Sequence, residues 1–252
     1  MIKKIVIYII FFLNKSYYFK KLCSQNSNKE AEFLDLCVSS LKHKNFFEIG
    51  FGPNEFNCSN LVKKKYSGHL VDGDKKNCQI MSILSKIHKL NLKIHNIFLT
   101  KDNIREVITE SSGGIFSIDV DGNDYWILKE VLNCNTNFEI IIVEYNSSFK
   151  ERCVSIPYQK NFERHKAHKS GWYHGASLNA FIKLLNSHNY YLIKTIAGVN
   201  AFFVHKDNFE KLSFKDLKFE DAYEENVLRN QWSKTDANHQ YRTIQHLPLI
   251  EV

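Results

Sequence analysis

The chain has 252 residues, of which 44% are hydrophobic and 24% charged, so a packed core is expected and wholesale disorder is excluded. This length suits one large α/β domain or two small ones. The net charge of +7 favours an anionic ligand but does not require nucleic acid. The six cysteines are scattered singly, without a C-x-x-C pair, which indicates reduced thiols and a cytoplasmic location.

Residues 1–44 are predicted to form an N-terminal helical segment. An apolar run over residues 5–13 lies between Lys4 and Lys15. This run is shorter than the roughly 20 residues that a membrane span needs, and no clear signal-peptide cleavage site follows it. We favour a first helix packed on the domain. The alternative is a basic, aromatic-rich helix within residues 1–21 that makes a peripheral contact with a membrane surface.

Strands and helices then alternate as far as residue 144. Helical spacing of apolar residues predicts helices over residues 30–41, 54–64, 75–89, 102–110 (capped by Asp102) and 125–132. Short apolar runs predict strands over residues 46–49, 69–72, 93–99, 115–120 and 139–144. This alternation is typical of a parallel, doubly wound α/β sheet.

The pattern changes in the second half of the chain. Residues 151–175 form an irregular insert that is rich in basic and aromatic side chains. A helix is predicted over residues 177–187. The two strands that follow, over residues 190–196 and 199–205, are joined so closely at Ala197-Gly198 that they predict an antiparallel hairpin.

These elements place the main domain at residues 45–206. The remaining residues, 207–252, form a charged tail with one predicted helix over residues 219–229. We expect the tail to pack on the domain through Trp232 and Tyr241.

Three of the predicted parallel strands end in acidic residues or glycine. The first leads through Glu48 into the turn Gly50-Phe51-Gly52, the fourth ends in Asp119 and Asp121, and the fifth ends in Glu144. The carboxyl ends of parallel strands lie along one edge of a sheet. The sequence therefore predicts a ligand crevice along that edge.

The turn after the first strand has the features of a cofactor loop. Glycine at positions 50 and 52 lets the backbone approach a ligand closely. About 20 residues later Asp72 ends the second strand, where a carboxylate can bind both hydroxyls of a ribose, with Asp74 as the alternative. Each glycine alone is also consistent with an ordinary turn. A nicotinamide cofactor is a rival, but the chain lacks the G-x-G-x-x-G spacing.

Six stretches, in the expected order, resemble the FkbM-like family of class I S-adenosylmethionine-dependent methyltransferases. The matching stretches are residues 47–52, 70–74, 117–125, 143–146, 174–178 and 198–204. The resemblance implies a Rossmann-like, mostly parallel, seven-stranded sheet whose last strand is antiparallel. This agrees with the hairpin that was predicted independently.

The resemblance also implies S-adenosyl-L-methionine as the cofactor. It implies that the loop around Gly50 and Gly52 wraps the methionine part, and that Glu48 holds this loop or binds the ammonium group of the ligand. Asp72 would bind the ribose. Asn96 would lie near the adenine, and Asp119 would also contact the cofactor.

Asp119, Asp121 and His174 are the candidate catalytic residues. Methyl transfer requires an aligned acceptor and, for a hydroxyl, removal of its proton. Asp119 and Asp121 alternate on one strand and repel each other unless a cation, a shared proton or donors lie between them. They can bind a divalent metal, pair with the cofactor's positive charge and the acceptor, or cap the next helix. His174 suits a proton acceptor because the ordinary pKa of histidine lies near neutrality, but it can equally be a structural residue beside the next helix.

Further polar and aromatic residues are predicted to bind the acceptor: Asn123, Asp124, Glu144, Asn146 and Trp172. The basic run at residues 164–169 predicts either an acceptor-binding lid or a solvated loop. His165 and His168 lack the partner cysteines of a zinc site. We expect methylation of a saccharide or another small-molecule hydroxyl, anionic acceptors included. The alternatives are a nucleic-acid methyltransferase, for which the chain lacks an N-P-P-[YF] motif, and a non-catalytic scaffold.

Overall fold

The computed structural model describes residues 29–53, 55–108, 113–134 and 136–252. A large sheet is formed by β1 (Asn45–Ile49), β2 (Ser67–Asp72), β3 (Leu92–Asn96), β4 (Ile115–Ile118), β5 (Ile140–Glu144), β7 (Tyr190–Ile196) and β8 (Asn200–His205). A small sheet pairs β6 (Val154–Ser155) with β9 (Ile250–Glu251).

The α-helices of these described residues are short apart from the one that follows β2. They are α1 (Lys29–Cys37), α2 (Ser59–Lys63), α3 (Lys75–His88), α4 (Ile104–Ile108), α5 (Asp124–Leu132), α6 (Arg164–Ala167), α7 (Leu178–Asn186), α8 (Lys206–Leu212), α9 (Phe219–Ala222), α10 (Val227–Ser233) and α11 (Ala237–Ile244).

The strands of the large sheet follow the order β3-β2-β1-β4-β5-β8-β7. Strands β1 to β5 run parallel, whereas β8 is antiparallel to both of its neighbours, β5 and β7. The predicted Rossmann-like, doubly wound sheet of seven strands with an antiparallel last strand is confirmed. The strand order reverses between β1 and β4, so a crevice opens at the carboxyl ends of these two strands.

Apolar side chains cover both faces of the large sheet, as the nearly continuous apolar strand runs predict. Phe47 and Phe116 pack on one face together with α4, α5, α7 and α9. The neighbouring positions Phe46 and Ile115 point to the other face and pack with α1, α2, α3 and α8. This three-layer core fixes the strand ends that carry the candidate site residues.

Two helices begin later than predicted. α2 begins at Ser59 rather than at residue 54, because Gly52 first forms a short antiparallel bridge with Glu55. α4 begins at Ile104, and Asp102 does not cap it: its carboxylate lies 3.6 Å from the Lys160 ammonium nitrogen. Residues 109 and 110 of that predicted helix lie outside the described residues.

The predicted helix over residues 219–229 is two helices, α9 and α10. The chain is extended at Tyr223, where α9 ends. It is also extended at Asn226, whose side chain accepts a hydrogen bond from the Arg229 backbone and so starts α10 anew.

The tail contacts the insert, since β9 pairs with β6. The ring of Tyr241 lies 3.6 Å from the guanidinium carbon of Arg152 in the insert, a contact of the kind expected for a residue that docks the tail. The same prediction for Trp232 is wrong, because its side chain is 81% exposed. The reason is the orientation of α10, which directs Arg229 inward and leaves Trp232 facing solvent.

The structural interpretations of residues 1–28, including the membrane-surface helix, lie outside the described residues. The predicted helix over residues 30–41 corresponds to α1 and the 3-10 turn Val38–Ser40. No helix in the described part of the chain combines the length and hydropathy needed to cross a membrane.

Candidate functional site

A cavity of about 980 Å³ lies at the carboxyl ends of β1, β2 and β4. It occupies the crevice at which the strand order reverses, the usual position of a ligand in an open α/β sheet. Its walls include the residues that end three strands, together with aromatic and apolar side chains from the loops and the tail. The cavity-lining residues include Gly50, Asp72, Phe98, Asp119, Asp121 and Leu228.

Gly50 brings two strand ends into close contact. Its φ is +77°, and a Cβ atom there would lie 1.7 Å from the backbone oxygen of Asp119. Its N–H donates to the carbonyl of Val71 at 2.9 Å. Glycine is therefore required at position 50, both for the positive φ and for the close backbone approach. Gly52 also lines the cavity, without a positive φ.

Glu48 holds the loop between β1 and α2. Its carboxylate is 1% exposed and accepts hydrogen bonds from the backbone N–H groups of Asn57 (2.7 Å) and Cys58 (2.9 Å) and from the Ser117 hydroxyl (3.3 Å). Burial raises the pKa of Glu48 to about 7. Of the two predicted roles for Glu48, these contacts favour holding the loop over binding an ammonium group.

Asp72 presents a carboxylate to the cavity at the end of β2. Its oxygens accept from the backbone N–H groups of Phe51 (3.1 Å) and Asp74, which fixes its orientation and leaves lone pairs for a ligand. The alternative, Asp74, is engaged as the N-cap of α3. Asn96 donates to the carbonyls of Asp72 and Gly73, so it supports the strand end.

Phe98 is a site residue that the sequence reasoning missed. It follows β3, lines the cavity near Asp72 and Gly73, and is 56% exposed. In the sequence it continues an apolar strand pattern, so no local signal distinguishes it from a core residue. An exposed aromatic face beside a fixed carboxylate is suited to a planar ring that is attached to a sugar.

Three carboxylates lie together at the ends of β4 and β5. One oxygen from each of Asp119, Asp121 and Glu144 lies within 4.8 Å of the others. Asp119 and Asp121 line the cavity, and Glu144 is buried behind them. Burial, and next the Glu144 carboxylate, raise the pKa of Asp119 well above its usual range. Burial, and next Asp124, raise the pKa of Glu144 to about 7.

Asp121 has a left-handed backbone conformation, with φ +57°. Its carboxylate accepts a hydrogen bond from the guanidinium of Arg164, on the helix α6 of the insert. The predicted lid therefore contacts the site through this one basic residue.

Two residues of the β4–α5 turn have structural contacts. Asp124, the first residue of α5, accepts hydrogen bonds from the backbone N–H groups of Val120 (2.8 Å) and Gly122 (2.9 Å), so it holds the turn that precedes the helix. The N-cap residue of α5 is Asn123, which makes no side-chain cap hydrogen bond, so the predicted capping by Asp119 or Asp121 is wrong. Burial raises the pKa of Asp124 to about 6. Asn123 pairs with the backbone of Gln159 in the insert. Of the five residues predicted to bind the acceptor, Asn123 alone lines the cavity.

His174 is 1% exposed and is not a cavity-lining residue. Its Nε2 lies 3.1 Å from a guanidinium nitrogen of Arg229, and its Nδ1 lies 3.8 Å from a Glu144 oxygen. Because a guanidinium only donates, Nε2 accepts and Nδ1 carries the proton of the neutral ring. Burial, and next Arg164, lower the pKa of His174 well below its usual value. We therefore expect His174 to act through Glu144 rather than on a ligand.

Arg229, from α10, was not identified from the sequence. Its guanidinium donates to Asn146 at 3.0 Å and Ser148 at 3.3 Å as well as to His174, and burial lowers its pKa to about 10. The amide of Asn146 in turn donates to the backbone carbonyls of Trp172 and His174. Asn146 and Trp172 thus tie the insert and the tail to β5, outside the cavity.

Neither a protein-family model nor a curated protein matches the chain. Similar solved structures include an S-adenosylmethionine-dependent methyltransferase from Clostridium acetobutylicum, at 11% identity and a TM-score of 0.47 over 77% of this chain and 98% of that one. The bifunctional kinase-methyltransferase WbdD has 13% identity and a TM-score of 0.44 over 71% of this chain and 40% of its own. A dimethyladenosine transferase from Plasmodium falciparum has 15% identity and a TM-score of 0.42 over 70% of this chain and 62% of its own. Sequence identities and TM-scores this low do not support a functional assignment. The fold is therefore assigned from the strand order, and the function is argued from the site.

Proposed function

We propose that the chain is an S-adenosylmethionine-dependent methyltransferase. The observation that carries the proposal is the fixed Asp72 carboxylate, which lines the same cavity as the exposed Phe98 ring, at the point of strand-order reversal. This arrangement fits a nucleoside: Asp72 would accept hydrogen bonds from the ribose hydroxyls, and Phe98 would pack on the adenine.

The other end of the cavity fits the methionine part of this cofactor. At Gly50 the backbone has no side chain, so a ligand can approach the β1 turn closely. Asp119 adds a carboxylate beside that turn, which is suited to a cationic ligand group. When bound, the cofactor would supply an activated methyl group on a sulfonium.

A nicotinamide cofactor is the rival for this cavity. Its pyrophosphate requires a glycine-rich turn that leads directly into a helix N-terminus. Here Gly52 forms a β-bridge with Glu55, and α2 starts only at Ser59. The backbone of the loop between them donates a hydrogen bond to the Glu48 carboxylate. The loop therefore suits S-adenosylmethionine better than a nicotinamide cofactor.

The cavity-lining residues Asp121, Asn123, Phe162 and Leu228 would form the acceptor side in this proposal. We propose a saccharide or another small-molecule hydroxyl as the acceptor and O-methylation as the reaction, in line with the FkbM-like resemblance. Asp119 and Asp121 are the cavity-facing carboxylates that can take the hydroxyl proton. As this oxygen bonds to the methyl carbon, the electron pair of the broken carbon–sulfur bond stays on sulfur.

Thermal unfolding with S-adenosylhomocysteine tests the cofactor assignment. At a hundredfold excess over its dissociation constant, the ligand adds about 2.7 kcal/mol of stability, which is roughly 5–10 °C for a chain of this size. We expect this shift in the wild type and its loss in Asp72→Ala. The matched control is Asp74→Ala, which removes the neighbouring carboxylate and should keep the shift. A wild type without a shift at millimolar ligand would overturn the proposal.

A further inference from the structure

We propose that Asp119, Asp121 and Glu144 bind a divalent cation of the Mg²⁺, Mn²⁺ or Ca²⁺ type on the inner wall of the cavity. The site would join the ends of β4 and β5. The existence of this site is independent of the proposed function, whereas its use in catalysis rests on that function.

Hydrogen-bond donors distinguish Asp119 and Glu144 from two neighbouring acids, Glu48 and Asp124. Glu48 and Asp124 each accept at least two backbone hydrogen bonds. In contrast, the carboxylates of Asp119 and Glu144 accept no hydrogen bond from any residue that the structure describes. Asp121 accepts one, from Arg164. Of the three, Glu144 is the buried one, at 7% exposure, and a buried carboxylate without donors is stabilised by a nearby cation or by a proton.

His174 provides a second, independent observation. Its ring is 1% exposed, and its Nδ1 is a buried polar atom without a hydrogen-bond partner among the described residues. This atom faces the Glu144 carboxylate at 3.8 Å. With Arg229 bound to Nε2, Nδ1 is an N–H donor, so it can orient a metal-bound Glu144 from the second coordination shell.

The charge balance of the cluster also favours a cation. Arg164 is the only basic side chain of the described residues that is recorded in ion-pair contact with Asp119, Asp121 or Glu144, apart from the His174 ring. The guanidinium of Arg229 is committed to the neutral groups of Asn146, Ser148 and His174. When all three carboxylates are ionised, the charges of Arg164 and Arg229 offset two of them, and a divalent ion would offset the remaining negative charge.

The donor set identifies the class of ion. Three carboxylates without cysteine are hard oxygen ligands, which suit Mg²⁺, Mn²⁺ and Ca²⁺. Opposite ligands of Ca²⁺ lie roughly 4.6–5.2 Å apart, and those of Mg²⁺ roughly 4.0–4.2 Å apart. The oxygens here lie within 4.8 Å of one another, so all three ions fit with small side-chain movements.

Because Asp119 and Asp121 line the cavity, the remaining coordination positions would face the bound acceptor. Coordination lowers the pKa of a hydroxyl. The second oxygen of either aspartate can then take the proton that the hydroxyl releases. A cation at this site would restrict the acceptor to molecules whose hydroxyl can reach the wall shared by β4 and β5.

Binding of Mn²⁺ to the full chain, followed by electron paramagnetic resonance at pH 7.5 without cofactor, tests the site. We expect one Mn²⁺ per wild-type chain and at least tenfold weaker binding in Glu144→Gln and Asp121→Asn. Asp121 is exposed, so its variant is expected to fold even if the buried Glu144 variant does not. The control is Glu163→Gln, which removes an exposed carboxylate next to Arg164 and should bind like wild type.

No Mn²⁺ binding by the wild type at millimolar concentration, or equal binding by Asp121→Asn, would overturn the site. A parallel titration with S-adenosylhomocysteine separates the two proposals. Mn²⁺ binding without a ligand-induced thermal shift supports the cation site and overturns the proposed function. The shift without Mn²⁺ binding overturns the cation site and supports the proposed function.

Discussion

At Gly50 the packing leaves no space for a side chain. A Cβ atom would clash with the backbone oxygen of Asp119, which cannot rotate away, and φ is positive. We expect Gly50→Ala to lower the free energy of unfolding by about 3 kcal/mol or more. Gly175 provides the control, since its φ is also positive (+61°) but nothing lies within 4 Å of an added Cβ. Gly175→Ala should cost only about 1–2 kcal/mol. Equal losses in urea unfolding would contradict the clash.

The sequence identifies residues whose roles follow from a strand end. Gly50 and Asp72 could be predicted because a glycine turn and an acid about 20 residues later mark two adjacent strands. Phe98 and Arg229 could not be predicted. The first continues an apolar strand pattern, and the second contacts His174 from a helix 55 residues away along the chain. The catalytic and binding roles themselves stay predictions.

Among the helices, α7 depends on an unusual N-cap. The buried Ser177 hydroxyl accepts hydrogen bonds from the backbone N–H groups of Ala180 (3.2 Å) and Val154 (3.1 Å), so it also anchors β6. We expect Ser177→Ala to cost about 2–3 kcal/mol in urea unfolding, because two buried donors lose their acceptor. The exposed cap Asp236 of α11 serves one donor, so Asp236→Ala should cost about 1 kcal/mol. A smaller loss for Ser177→Ala than for Asp236→Ala would rule out this role.

The elements that the sequence predicts best are those whose own residues form a clear local pattern. β1, β4 and β5 are continuous apolar runs, and all three lie close to their predicted limits. The start of α2 was not predictable, since the loop before it bridges Gly52 to Glu55 and donates hydrogen bonds from the backbone N–H groups of Asn57 and Cys58 to the Glu48 carboxylate. The break between α9 and α10 depends on the Asn226 cap. In the sequence, nothing distinguishes Asn226 from the other polar residues of the charged tail.

For the molecule as a whole, Glu48 links stability to pH. Its pKa rises from 4.5 to about 7 on folding because of burial. The folded state therefore binds this proton more tightly than the unfolded state, and the stabilisation is present below about pH 4.5 and lost as the pH rises to about 7. Relative to Glu48→Gln, the wild type should lose about 3 kcal/mol across this window. Urea unfolding at pH 4.5 and 7.5 checks this, and parallel curves for the two proteins would contradict it.

The two sides of the cavity become available at different times while the chain is being made. A nascent chain that has emerged as far as Ser117 already holds every recorded hydrogen-bond partner of the Glu48 and Asp72 carboxylates. Leu228, which lines the cavity on the proposed acceptor side, follows Ser117 by 111 residues. At roughly 5–20 residues per second, about 5–20 s of synthesis separate the two. The residues on the proposed nucleoside side of the cavity are thus synthesised well before the last residues of the side that would hold the acceptor.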